Sequence, residues 1–234
     1  MVEIIVSSDQ SLCVEFGKTI SEEINNKVCA FTLLAQKAGI PGVTEFVPTY
    51  RSVDVHYRPE IVRYAELKEQ LQKLVDSLGA VKLPPAQVIE VPVLYGGDYG
   101  PDLLQVASAH NLQPEEVIAI HSKPSYLIYM MGFLPGFCYL GGLDERIATP
   151  RLISPRIKVP AGSVGIAGAQ TGIYPSDAPG GWQLIGRTPL RLYDPNRARP
   201  ILMDAGMRLR FYPIDQREYE RIYAEQYPDG GDGQ

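Results

Sequence analysis

Cysteine is scarce in this chain: Cys13, Cys29 and Cys138 are the only three among 234 residues. They are odd in number and form no C-x-x-C pair, so neither a disulfide framework nor a thiolate metal cluster is expected, and the pattern suits a reducing cytosol. Histidine is equally sparse. His56, His110 and His121 show no metal-ligand spacing, so no metal site is expected. Positive charge does not dominate: 22 Lys and Arg against 27 Asp and Glu leave a net charge of −5. That excludes a general polyanion binder, because nucleic-acid affinity rests on Lys and Arg neutralising phosphates. The longest nearly apolar run, Tyr126 to Leu134, falls far short of the roughly 18 residues of a membrane span, and the N-terminus carries no basic leader. A soluble cytoplasmic protein is expected. With 45% hydrophobic and 21% charged residues and a mean hydropathy of −0.08, the composition excludes disordered and fibrous classes.

What is present divides into two textures. Gly and Pro are sparse before residue 85 and crowd the segment from Gly96 to Gly186, which places a boundary near Pro84-Pro85 and gives two domains, 1–85 and 86–228, with a disordered polar tail at 229–234. In the first, Glu3 to Ser8 and Leu12 to Lys18 read as strands. A helix opens at Ser21 with Glu22 and Glu23 in its first turn, lines up Ile24, Val28, Phe31, Ala35 and Ala38, and stops at Gly39. Two more strands lie around Val43–Val47 and Val53–Tyr57. A second helix from about Pro59 carries Tyr64, Leu67, Leu71, Leu74 and Leu78 to Gly79. The order ββαββα resembles a small α+β sandwich with both helices on one sheet face. The second domain opens with a strand at Val88 to Tyr95 and two short helices, one with Pro101 at its first position and one with Pro114. Short apolar runs between turn signals then predict a many-stranded antiparallel barrel or sandwich from Tyr126 to Phe211, and a final helix runs from Asp215 to Tyr227.

Arg146 to Ser176 contains Arg146, Arg151, Arg156 and Lys158 and no acid, against the charge of the whole chain. Gly162, Gly165, Gly168 and Gly172 in that stretch are free to turn backbone N–H groups toward an anion. Equally, the glycines mark barrel turns and the arginines cover a rim. Ala161-Gly162-Ser163-Val164-Gly165 approaches a nucleophile elbow, but no helix follows and no Asp-then-His order lies downstream, so a serine hydrolase is rejected. Neither a Walker A loop nor a dinucleotide fingerprint is present. His110 and His121 fall near helix C-termini, where a partly positive ring is stabilised. His56 sits on the polar face of a strand, and Cys138 reads as a buried inert thiol. Pro179 to Pro189 places the single Trp182, with Gln183 and Arg187, between glycine turns, which suits a small planar polar ligand.

Val91-Pro92-Val93-Leu94-Tyr95-Gly96-Gly97, Gly100-Pro101-Asp102-Leu103, Gly132 to Leu143, Thr149-Pro150-Arg151, Val159 to Gly168, Gln170 to Pro175 and Pro179 to Pro189 together resemble the B-type component of the prokaryotic 5-oxoprolinase. This is the PxpB/KipI family, also called allophanate hydrolase subunit 1. Cys138 departs from the family, where Pro is favoured. The resemblance implies an α+β chain with a ferredoxin-like N-terminal domain followed by a cyclophilin-like β-barrel domain. It implies KipA/PxpC-type and PxpA-type partner subunits, a small lactam substrate, and ATP with Mg2+ used by the assembled enzyme, with little activity expected of the chain alone. Two other roles follow from relatives: a KipI-like inhibitor of a sensor histidine kinase, and an allophanate or urea-pathway component. From residue chemistry, Arg151 and Arg156 are expected to clamp a carboxylate or phosphoryl group, with Gln170 and Tyr174 beside them at the reacting centre. Gly162, Ser163, Gly165, Gly168, Thr171, Trp182, Gln183 and Arg187 are expected to complete the substrate wall.

Overall fold

The computed structural model describes residues 2–81, 83 and 85–228; the tail expected at 229–234 lies outside them. Two compact units are present, Met1–Pro85 and Ala86–Gln234. In the first, β1 (Glu3–Ser8) and β2 (Ser11–Glu15) lead into α1 (Glu22–Ala38), then β3 (Val43–Pro48), β4 (Ser52–Tyr57) and α2 (Tyr64–Asp76). Helix α1 starts where Ser21 Oγ accepts the Ile24 N–H at 3.2 Å, and it ends at Gly39 in the left-handed region at φ 57°, where only glycine sits without strain. The sheet is antiparallel throughout, in the order β1-β2-β4-β3. Val28, Phe31 and Ala35 of α1 and Leu67 and Leu71 of α2 share one core with Leu12, Val14, Val53 and Val55, so both helices cover the same sheet face.

Two expectations change here. A ferredoxin-like chain runs βαββαβ, whereas this one runs ββαββα; its order is the one such a sheet takes when its last strand is moved to the front. The second helix begins at Tyr64 rather than near Pro59, because Arg58 O accepts the N–H groups of both Ile61 and Val62. That turn tucks Val62, 3% exposed, into the core.

The second unit comprises β5 (Val88–Tyr95), α3 (Leu103–Ala109), α4 (Pro114–Ser122), β6 (Tyr126–Met131), β7 (Cys138–Gly141), β8 (Arg156–Val159), β9 (Ser163–Ala167), β10 (Gln170–Ile173), β11 (Ala178–Gly180), β12 (Gln183–Arg187), β13 (Arg208–Pro213) and α5 (Gln216–Gln226). Seven strands close a barrel in the order β10-β7-β6-β13-β5-β12-β9, and β8 with β11 forms a separate ribbon. The barrel is not wholly antiparallel as expected, since β13 runs parallel to β5, Arg208 facing Val88. Helix α3 starts at Leu103, two residues later than Pro101 suggests, because Asp102 is held by Leu184: its N–H donates to Leu184 O at 2.9 Å. Among the described residues no helix is long and apolar enough to cross a membrane.

All seven barrel strands contribute to one core that includes Val93, Ile128, Leu140, Ile166, Ile173, Ile185 and Phe211. Strand alternation turns their neighbours outward. Tyr139, Ala167 and Leu184 therefore join a second cluster on the outer surface, with Phe137, Tyr174 and Trp182, and the ribbon closes over it with Val159 and Ala178.

Candidate functional site

The outer cluster is an aromatic layer. Phe137 meets Tyr174 and Trp182 edge-on, with ring centroids 5.4 and 5.6 Å apart, a favourable quadrupole geometry. The layer lies close to the barrel because glycine occupies the strands beneath it. A Cβ on Gly172 would stand 3.2 Å from Trp182 Cζ3, and one on Gly165 3.1 Å from Trp182 Cβ. Phe133 completes the layer from a loop. Its backbone takes φ 67°, a strained conformation for a bulky residue, and its ring stands edge-on to Phe137 while remaining 61% exposed.

Charge enters from residues 149–160. Burial raises the Tyr174 pKa; the positive charge of Arg151, a hydrogen bond with the Trp182 backbone and the charge of Arg156 act against it. Arg151 is exposed and, among the described residues, takes part in no ion pair. Arg156 differs. Its Nη2 donates to Asp102 Oδ1 at 2.7 Å, its Nη1 to Trp182 O at 3.3 Å, and Asp102 Oδ2 accepts the Leu184 N–H at 2.6 Å. The two-arginine clamp expected from the sequence is therefore one free cation, Arg151, and one committed to the protein's own carboxylate.

The glycine backbone is also committed. Gly162, at φ 79°, donates its N–H to Tyr174 O at 2.7 Å and accepts from Thr188 N at 2.9 Å, and Gly168 N–H goes to Thr149 O at 2.7 Å. Gly165 lies inside β9 between Gly172 and Leu184. These turns shape the chain, and the expected nest of N–H donors for an anion is not formed.

Thr171 faces the barrel interior. Its hydroxyl donates to Gly165 O at 3.0 Å and so accepts from His121 Nε2 at 2.8 Å. The imidazole thus carries its proton on Nε2, and Nδ1 accepts from Tyr95 Oη at 2.8 Å. His121 is fully buried, with its pKa pushed down to about 3 by burial; the partly positive ring expected at a helix terminus is instead neutral. A substrate-orienting role for Thr171 is incompatible with this closed internal chain. His110 Nε2 contacts Thr149 Oγ1 at 3.0 Å. Cys138 is the inert thiol expected, its pKa pushed up to about 12 by burial. His56 Nε2 lies 3.9 Å from Asp54.

Gln183 donates Nε2 to Pro150 O at 2.9 Å, and Gln170 opens β10 opposite Ala167. Ser163 and Arg187 are direct cross-strand neighbours on β9 and β12. The structure therefore brings Arg151, Tyr174 and Trp182 together, adds Phe133 and Phe137, and places Thr171 elsewhere. Asp102, Tyr95 and Phe133 are not among the sequence candidates. An acid directly after Pro101 and ahead of an apolar helix is the signal for Asp102.

Residues 2–203 match the model of the carboxyltransferase domain, subdomain C and D. The chain is 41% identical over 227 residues to the B-type component of 5-oxoprolinase from Bacillus subtilis strain 168, covering 93% of this chain and 95% of that protein. It is 45% identical over 181 residues to the protein of the same name from Escherichia coli O157:H7, covering 77% and 83%. The crystal structure of TTHA0988 superposes with a TM-score of 0.78 at 37% identity over 88% of this chain, which spans 40% of that longer one.

Proposed function

The chain belongs to the carboxyltransferase-domain family of subdomains C and D, and from that premise we propose that it is the B-type component of an ATP-dependent 5-oxoprolinase. In this reading it opens 5-oxo-L-proline to L-glutamate together with C-type (KipA/PxpC) and A-type (PxpA) subunits. The observation that carries the reading is the 41% identity to a 5-oxoprolinase component of the B type across 95% of that protein's length. A lactam resists attack because of amide resonance; a phosphoryl group from ATP on the amide oxygen would end that resonance, so that water adds to the ring carbon, the C–N bond breaks with its nitrogen taking a proton, and a second water releases phosphate from the acyl phosphate to leave the carboxylate. We assign the nucleotide to the other subunits, since the Gly162 and Gly168 N–H groups are spent on Tyr174 and Thr149.

What this chain brings is position and charge. Phe137, Tyr174 and Trp182, at most 5% exposed, form a rigid backing, and the exposed Phe133 ring that packs on them offers an apolar face to a flat ring. Arg151 offers a guanidinium beside it, where charge builds on the lactam oxygen or its phosphoryl group.

The test is 5-oxo-L-proline-dependent ATP hydrolysis, with glutamate detected, by the chain alone and with its C- and A-type subunits. Activity is expected only in the complete mixture; turnover by the chain alone, or none despite stable assembly, overturns the reading. Within the active mixture, Arg151→Ala is expected to lower kcat/KM about 100-fold, in line with loss of one charge-stabilising donor. Its melting temperature should match that of the parent, because Arg151 is exposed. Unchanged kcat/KM removes Arg151 from the site.

A further inference from the structure

We propose that Gln183 and His110 are positioning residues: they lock the backbone beside Arg151 and so aim its guanidinium. The inference rests on the role given to Arg151 above. Between Ile147 and Arg156 the chain is in neither helix nor strand, yet residues 149, 150 and 152 are each tied to a segment distant in sequence. Thr149 O accepts the Gly168 N–H at 2.7 Å, and Leu152 donates its N–H to Gly181 O at 2.7 Å. The Thr149 hydroxyl donates to Ile147 O at 3.0 Å and so accepts from His110 Nε2 at 3.0 Å. Gln183 Nε2 donates to Pro150 O at 2.9 Å. Pro150 adds a restraint of its own, a fixed φ and an extended residue before it. Arg151 lies inside this mount with its side chain exposed and in no ion pair among the described residues.

Gln183 separates support of the fold from support of Arg151. It is 4% exposed, pairs in register with Ile166 of the barrel core, and its Oε1 lacks a partner among the described residues. A buried acceptor without a partner is destabilising, and an apolar side chain in that place would avoid it. What the carboxamide supplies, and an apolar residue cannot, is the bond to Pro150 O. That carbonyl requires a donor, so the amide presents its nitrogen and the oxygen is left over. His110 acts from the C-terminal end of α3, reaching a threonine that is 5% exposed. A rigid base limits where a guanidinium on a long flexible stem can go. Part of the entropy of ordering that stem is then lost before a ligand arrives, which favours stabilisation of developing charge. The Arg151 charge acts on Tyr174, so the mount sets the cation beside the aromatic layer.

Two measurements test this. The first, on the full chain alone, is the 15N-relaxation order parameter of the Arg151 backbone amide, about 0.85 in a rigid backbone and below about 0.6 in a mobile one. It is expected near the rigid value in the parent and to fall toward the mobile one in Gln183→Met and in His110→Leu. Gln183→Met also removes the orphan acceptor, so its melting temperature should change little. The second is kcat/KM for 5-oxo-L-proline in the complete mixture. Each variant is expected to lower it about tenfold but to have no further effect in an Arg151→Ala background, because both residues act through that side chain. A residue that merely supports the fold lowers activity equally in the two backgrounds, and that result overturns the proposal for it. An unchanged order parameter overturns the lock, and an unchanged kcat/KM overturns its use in the reaction. If the complete mixture is inactive, the 5-oxoprolinase reading fails, and the order parameter alone decides whether Gln183 and His110 hold the segment.

Discussion

Asp102→Ala is expected to lower the melting temperature by on the order of 10 °C. Asp102 is 6% exposed and joins three parts of the second unit: Arg156 of the ribbon, the Leu184 N–H of the barrel and, through its own backbone, the start of α3. Removing one member of a buried ion pair leaves the other charge uncompensated, which costs about 3–5 kcal/mol. In a domain of this size each kcal/mol moves the midpoint by about 2–4 °C. Arg156→Met should be destabilising for the same reason, and Asp102→Asn in that background should recover part of the loss, because the stranded charge is gone while an acceptor for Leu184 remains. Thermal unfolding of the four proteins measures this coupling. A shift below about 2 °C for Asp102→Ala, no more than one kcal/mol, would mean that the pair holds nothing together.

A comparable effect is expected from acid, acting through His121. Burial holds its folded-state pKa at about 3, against about 6.5 for an unfolded histidine. Between those values the unfolded chain takes a proton that the folded one refuses, so stability falls as pH drops through 6.5 toward 3, by about 1.4 kcal/mol per pH unit. At pH 4.5 the loss relative to pH 7.5 approaches about 2–3 kcal/mol. Asp144 and Asp177, whose pKa values lie below their ordinary level, are lost only as pH falls through the carboxylate range, a lower window. His121→Gln keeps a donor for Thr171 and an acceptor for Tyr95 but does not titrate. It should flatten the dependence of melting temperature on pH between 6.5 and 4.5 while costing some stability at pH 7.5. Equal slopes in the two proteins would show that His121 titrates freely.

Local chemistry was legible where the chain punctuates itself. Ser21 and Gly39 mark both ends of α1, and Asp215 caps α5 by accepting the Glu218 N–H at 2.8 Å. Helix α4 begins at Pro114, a residue suited to a first helical position. Pairing was less legible. Arg210 meets Glu90 across 120 residues, and nothing local announces that β13 runs parallel to β5. The same limit governs the site. Residue type alone singles out Arg151, Tyr174 and Trp182 as candidates, but the partner that occupies Arg156 lies 54 residues away. Thr171 turned on parity: facing Leu140 and Ile166, it points inward, and a shift of one residue in register would have sent it out.

Strand β13 sits between β5 and β6 in the barrel order, so the wall closes only when the C-terminal segment inserts between two strands made long before it. A chain emerging from the ribosome therefore holds two open edges, those of β5 and β6, until Arg208 to Pro213 have been made. Exposed edges invite pairing with other chains, and nascent or truncated forms ending before Arg208 carry that hazard while the complete chain does not. Such long-range closure also makes folding of this unit slow for its size, with aggregation during synthesis as the competing event.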